Sequence, residues 1–224
     1  MPTALLACLL AATLAGVVAV ATPALLAWCP APLEADDLPP FRDLASPAFR
    51  WSVFGTAAVA GVIAFLLVPP AHWGAWAPLA SVGALLAMVD VRTAFLPTRL
   101  NYLALSVAGA GVAVAAWLEG SWAPLVSAAA SGAVAAGVFW VVWRVREESL
   151  GFGDVRLAGL IGVVTGCDGF VLPVWAFLLG TLAGALWGAV AWMSRGRDGE
   201  FPYGPALLLG PFLALLLRRV LQLG

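Results

Sequence analysis

Two acids supply most of the chemistry that this sequence offers, in a chain that is 63% hydrophobic and only 10% charged. Asp154 heads an apolar run in the stretch Gly151-Phe152-Gly153-Asp154-Val155-Arg156-Leu157, and Asp90 closes an earlier one. A carboxylate inside or at the edge of a membrane span is costly and needs a reason. Two carboxylates held close together cannot both ionise easily, so one keeps a proton at neutral pH while the other serves as a base. Such a dyad can activate a water, protonate a scissile amide and hydrolyse a peptide bond without a metal or a covalent intermediate. Gly151 and Gly153 fit that use, because a backbone without side chains can approach a neighbouring helix and take a positive φ ahead of Asp154. Two other readings stand beside the dyad. The acids can be interfacial residues neutralised by Arg92 and Arg156, or they can relay protons in a transporter.

The elements that must position these acids are membrane helices. A soluble domain carries about 25% charged residues, well above the share here. Eight apolar segments can be drawn, at about 4–27, 51–68, 73–90, 100–118, 122–143, 154–167, 170–193 and 204–221. Most approach the roughly 20 residues that cross a bilayer as a helix, and the sixth is short. The fold class is therefore all-α and polytopic, with about eight transmembrane helices. Trp28, Trp51, Trp73, Trp117, Trp122, Trp143 and Trp192 mark segment ends in the manner of an interfacial belt.

All basic residues are Arg. Arg42, Arg50, Arg92, Arg99, Arg144, Arg146, Arg156, Arg195 and Arg197 fall in alternate connections, while 69–72, 119–121 and 168–169 carry none. The positive-inside rule makes the arginine-bearing face cytoplasmic. Arg218 and Arg219 are the exceptions, in the last turn of segment 8, where positive charge suits a helix C-terminus. Segment 3 then runs inward to end at Asp90, and segment 6 starts outward from Asp154. Both acids come to the cytoplasmic edge, in a multi-pass membrane protein with both termini outside.

The remaining residues exclude more than they assign. A net charge of −1 offers no basic face for nucleic acid. Cys8, Cys29 and Cys167 share no metal-ligand spacing, so no metal and no cofactor is expected. His72 reads as an interfacial polar residue rather than a ligand or base. The connection 28–50, rich in Pro and in Glu34, Asp36, Asp37 and Asp43, reads as a solvated cytoplasmic segment. Segment 1 lacks the positive n-region of a signal peptide despite Ala19-Val20-Ala21, and is read as a retained helix. Gly180, Ala183, Gly184 and Gly188 permit close helix packing. There is no internal repeat of the kind that marks inverted transporter halves.

Three motifs in order resemble those of the type IV prepilin peptidases, which are GxGD membrane aspartyl proteases. The segment from Gly151 to Leu157 resembles the family's GxGD-V-K-L signature, with Arg156 where Lys is usual. Asp90, followed by Phe95-Leu96-Pro97, resembles the first-aspartate motif. Phe201-Pro202-Tyr203-Gly204-Pro205, followed by Phe212-Leu213-Ala214-Leu215, resembles a late P-F/Y-G-P-F-L-A-L segment. The resemblance covers roughly residues 80–215. It divides the chain into N-terminal helices with an acidic, Pro-rich loop (1–75) and a peptidase core (76–224).

The resemblance implies Asp90 and Asp154 as the catalytic pair, with Gly151, Gly153, Pro97, Arg156, Pro202, Gly204 and Pro205 in support. It implies prepilin or pseudopilin substrates, cleaved at the cytoplasmic face just before a hydrophobic helix that lies in the bilayer. Two departures are visible. Thr98 stands where Asp or Asn usually follows the proline. The two C-x-x-C pairs of the bifunctional, N-methylating members are missing, which points to a peptidase-only or divergent form. Other GxGD enzymes, of the presenilin or signal-peptide-peptidase kind, expect Tyr before the first acid, where Val89 stands here, so the resemblance is not to them.

Overall fold

The computed structural model describes residues 2–30, 40–145, 151–195 and 202–221. Glu34, Asp36 and Asp37 of the acidic loop, Arg146, Arg197 and Phe201 lie outside the described residues. Eight α-helices follow in order: α1 (Pro2–Trp28), α2 (Pro47–Leu67), α3 (Trp73–Thr93), α4 (Thr98–Glu119), α5 (Ala123–Val145), α6 (Phe152–Gly166), α7 (Val171–Arg195) and α8 (Gly204–Leu221). No strand occurs among the described residues. Of the eight apolar segments expected, all are helices, and seven are long and apolar enough to cross a membrane. The exception is α6, whose 15 residues extend about 22 Å at 1.5 Å per residue, short of the roughly 30 Å hydrocarbon core.

Local chemistry sets the helix ends. Ser46 caps α2 by accepting a hydrogen bond from the Phe49 backbone N–H at 3.3 Å, with Pro47 in the first helical position. Helix α4 ends on Gly120 at φ 61°, where the absent Cβ removes the left-handed penalty. Helix α3 runs one turn past Asp90 and ends on Ala94 at φ 51°. The carboxylate therefore stands inside the helix rather than at its last residue, where the sequence placed it.

Helix α3 is the most buried of the spans, and α1, α5 and α7 are the least. It packs against α2, α4, α6 and α8 and so forms the centre of the bundle. The outer helices present apolar side chains such as Leu5, Val20, Val134 and Leu186 to the surroundings, as lipid-facing surfaces do. Trp51, Trp117 and Trp122 are exposed as an interfacial belt requires. Trp76, which was not assigned to that belt, is fully buried in α3.

Close contacts are made through small residues. A Cβ on Gly180 would lie 3.2 Å from the Leu207 carbonyl, and one on Gly184 would lie 2.7 Å from the Tyr203 ring, so both let α7 approach α8. Gly188 has open space around its Cα and takes no part. Gly162 and Gly166 do for the α5–α6 pair what Gly180 does for α7–α8, lying against the backbone of Ser131 and Ser127.

Candidate active site

Helix α3 supplies Asp90 and the start of α6 supplies Asp154, both buried. A third element completes the cluster. The backbone N–H of Gly204, the first residue of α8, donates to Asp90 Oδ2 at 3.0 Å. The four leading amides of a helix lack intrahelical partners and carry partial positive charge, so the start of α8 suits a carboxylate. A Cβ on Gly204 would sit 2.7 Å from Asp90 Oδ2. Only glycine lets the backbone come this close.

Asp154 is held by a parallel device. It is the third residue of α6, and its carboxylate turns back to the Gly151 backbone. An acid at this position of a helix reaches the N–H that the first turn leaves unpaired. Asp90 is thus seated on a distant glycine N–H, while Asp154 lies against the backbone of the glycine that opens its own helix. The charge of Asp90 bears on Asp154, and among the described residues no ion pair joins either acid to an arginine.

Arg156 is engaged elsewhere. Arg156 donates from Nη1 to Thr98 Oγ1 at 2.9 Å, and its guanidinium lies 4.6 Å from the Phe152 ring centre and 5.7 Å from that of Tyr102. It fastens α6 to the start of α4 instead of neutralising Asp154. The paired-acid-and-arginine alternative therefore does not describe this site. Thr98, which departs from the family pattern, has a role here as the Arg156 acceptor.

The glycines act differently from expectation. Gly151 has φ −72° and Gly153 is absent from the positive-φ residues, so neither uses the left-handed region. Gly153 matters through space alone: its missing Cβ would lie 2.8 Å from Leu96 Cβ, in the connection between α3 and α4. The first turn of α6 thus seats on the α3–α4 connection rather than on α3 itself. Around Gly151 a Cβ would meet only the Asp154 carboxylate at 3.6 Å and the Gly153 nitrogen at 3.9 Å, which are ordinary contacts. Pro97 precedes α4 as its N-cap, and Pro202 lies half-buried ahead of α8.

Two features had no individual assignment from sequence. Burial and then the Asp154 charge push the Tyr203 phenol above its usual range, and Tyr203 directly precedes Gly204, the Asp90 donor. Tyr203 lies within the late motif, so position was the available signal. The other is an apolar cavity of about 370 Å³ between α2, α3 and α8, lined by Gly55, Ile63, Gly83, Ala87 and Phe212, that reaches Pro205 next to the Asp90 donor.

A family model described as the type IV leader peptidase family matches residues 77–189. That span includes Asp90, Pro97, Gly151, Gly153, Asp154 and Arg156 and stops short of Pro202, Gly204 and Pro205. No curated protein and no solved structure matches the chain.

Proposed function

The chain belongs to the type IV leader peptidase family, and from that premise we propose that it is a multi-pass aspartic endopeptidase that removes the leader of prepilin-like or pseudopilin proteins, with Asp90 and Asp154 as its catalytic dyad. One observation carries the proposal. Two buried carboxylates from different helices are gathered at one end of the bundle, each held by a glycine backbone and neither quenched by an arginine. Burial of unpaired charge is expensive, and two acids in such a place lower that cost by sharing a proton.

The chemistry follows from that sharing. The ionised carboxylate takes a proton from a water as it attacks the scissile carbonyl, and the protonated one gives its proton to the leaving amine. The amide of Gly204 holds Asp90 in one orientation, and Asp154 is set by its place in the first turn of α6. No cofactor is required for this sequence of transfers. The apolar cavity that ends at Pro205 suits the hydrophobic helix that follows the cleavage point in such substrates. The arginine distribution puts the dyad on the cytoplasmic side of a bacterial inner membrane, where a short basic leader would remain.

Co-expression with a candidate prepilin tests the reading directly. Processing should appear on a gel as a shortened product whose new N-terminus lies just ahead of the hydrophobic helix. An unprocessed substrate in the presence of membrane-inserted wild-type protein, across several prepilins and pseudopilins, would refute it.

A further inference from the structure

The other end of the bundle holds a second buried polar cluster that the dyad chemistry does not use. His72, expected as an interfacial polar residue, is buried just ahead of α3 and bonded through both ring nitrogens. Its Nδ1 lies 3.0 Å from Asp168 Oδ1, and its Nε2 lies 2.8 Å from Glu119 Oε1. Carboxylates only accept, so both contacts are satisfied together by the imidazolium form, in which both nitrogens donate. Trp76 Nε1 donates to Asp168 Oδ2 at 2.8 Å, and Arg218 Nη1 lies 3.8 Å from Asp168 Oδ1. Two cations thus balance two anions, and Asp168, with 2% of its side chain exposed, is the hub.

The helices joined here are the ones that carry the acids. His72 and Trp76 belong to α3 and its N-cap, whose far end bears Asp90. Asp168 follows directly on α6, whose first turn bears Asp154. Glu119 ends α4, and Arg218 is in the last turn of α8, whose first residue holds Asp90. Each helix that contributes to the dyad is therefore tied to the same cluster at its opposite end.

We propose that His72, Trp76 and Asp168 are positioning residues for the catalytic pair, an ionic clamp that fixes the angle between α3 and α6. The lever is long. Over the roughly 22 Å of α6, a tilt of about 3° at the clamp moves Asp154 by about 1 Å. A misplacement of that size can cost on the order of 10²-fold in rate. Substrate contacts made elsewhere would be untouched, so the effect belongs in kcat rather than KM. The activity part of this inference rests on the peptidase reading, whereas the geometric part does not.

The test uses full-length protein in lipid nanodiscs, with His72→Gln, Trp76→Phe and His72→Arg. In one arm, Cys8→Ser removes the exposed native thiol, and spin labels at Arg92→Cys and Phe152→Cys report the distance between the two acid-bearing helix ends. His72→Gln should broaden or shift that distance, and His72→Arg, which keeps a cation between the two carboxylates, should restore it. In the other arm, without labels, His72→Gln should lower kcat about tenfold or more per folded molecule at unchanged KM, with partial or full rescue by His72→Arg. Trp76→Phe keeps an aromatic ring and deletes one donor, and should show a smaller loss in the same direction. It decides the matter if His72→Gln fails to insert. A wild-type distance distribution in His72→Gln, or in Trp76→Phe should the first not insert, would overturn the clamp. So would a kcat loss that vanishes after correction for folded protein. If wild-type protein cleaves nothing, the peptidase reading fails, and the distance arm still decides the clamp.

Discussion

The Asp90 carboxylate accepts a hydrogen bond from the Gly204 backbone N–H at 3.0 Å, and the space a side chain would need on Gly204 is filled by that same carboxylate. Position 204 thus determines how one acid of the pair is oriented. Gly204→Ala would push a methyl group to 2.7 Å from Asp90 Oδ2, forcing α8 or the carboxylate to move. Overpacking of this kind costs about 1–3 kcal/mol, and a displaced acid on the order of 10²-fold in rate. A processing assay at matched membrane abundance should show Gly204→Ala severely impaired and Gly204→Val inactive. Wild-type cleavage by Gly204→Ala would mean that the Asp90 seat is incidental.

Replacing either acid should remove activity. Asp90→Ala and Asp154→Ala each leave one carboxyl group, which cannot be base and acid at once. Asp90→Asn and Asp154→Asn should fail too, because an amide does not exchange the proton. All four should still insert. Near-complete processing by any one of them, judged on a gel against equal protein, would sink the dyad.

Gly153 provides a graded test. Its missing Cβ faces Leu96 Cβ at 2.8 Å, so even a methyl group must displace the α3–α4 connection. Gly153→Ala should lose part of the activity and Gly153→Val most of it. Leu96→Gly, which removes the facing Cβ together with the atoms beyond it, should recover some of the loss in the Gly153→Ala background. Equal rates for Gly153→Val and wild type would remove spacing from the account.

The arginine distribution makes a topological prediction. Engineered cysteines in the connections 94–97 and 120–122 should react with membrane-impermeant reagents from opposite sides, the first from the cytoplasm. Labelling of both from one side would contradict the orientation proposed for the acids.

The acids were legible in the sequence because charge is rare in an apolar chain, and their shared end followed from counting the arginines of alternate connections. The glycines were legible as a motif, and of the two roles expected of them close approach is the one that Gly153 fills. Spacing cannot distinguish a left-handed turn from a close approach, and Gly153 turned out to need only the second. Arg156 was visible as a charge beside Asp154, but its hydroxyl and ring partners come from α4 and from the preceding helical turn. The opposite cluster left no pattern to read. His72 and Trp76 lie one helical turn apart, and Glu119, Asp168 and Arg218 are single residues in three further places; Glu119 and Asp168 entered the argument only as connections without basic charge. Arg218, an exception to the arginine count, has its reason in Asp168.

The order in which the site's parts leave the ribosome has a consequence for biogenesis. Asp90 and the amide that seats it are separated by 114 positions, which at about 5–20 residues per second amounts to roughly 6–23 s of synthesis. Throughout that interval α3 is already made, while the acid it carries lacks its donor. On the proposed mechanism, full activity waits for the insertion of the last helix, which brings the Gly204 donor to Asp90.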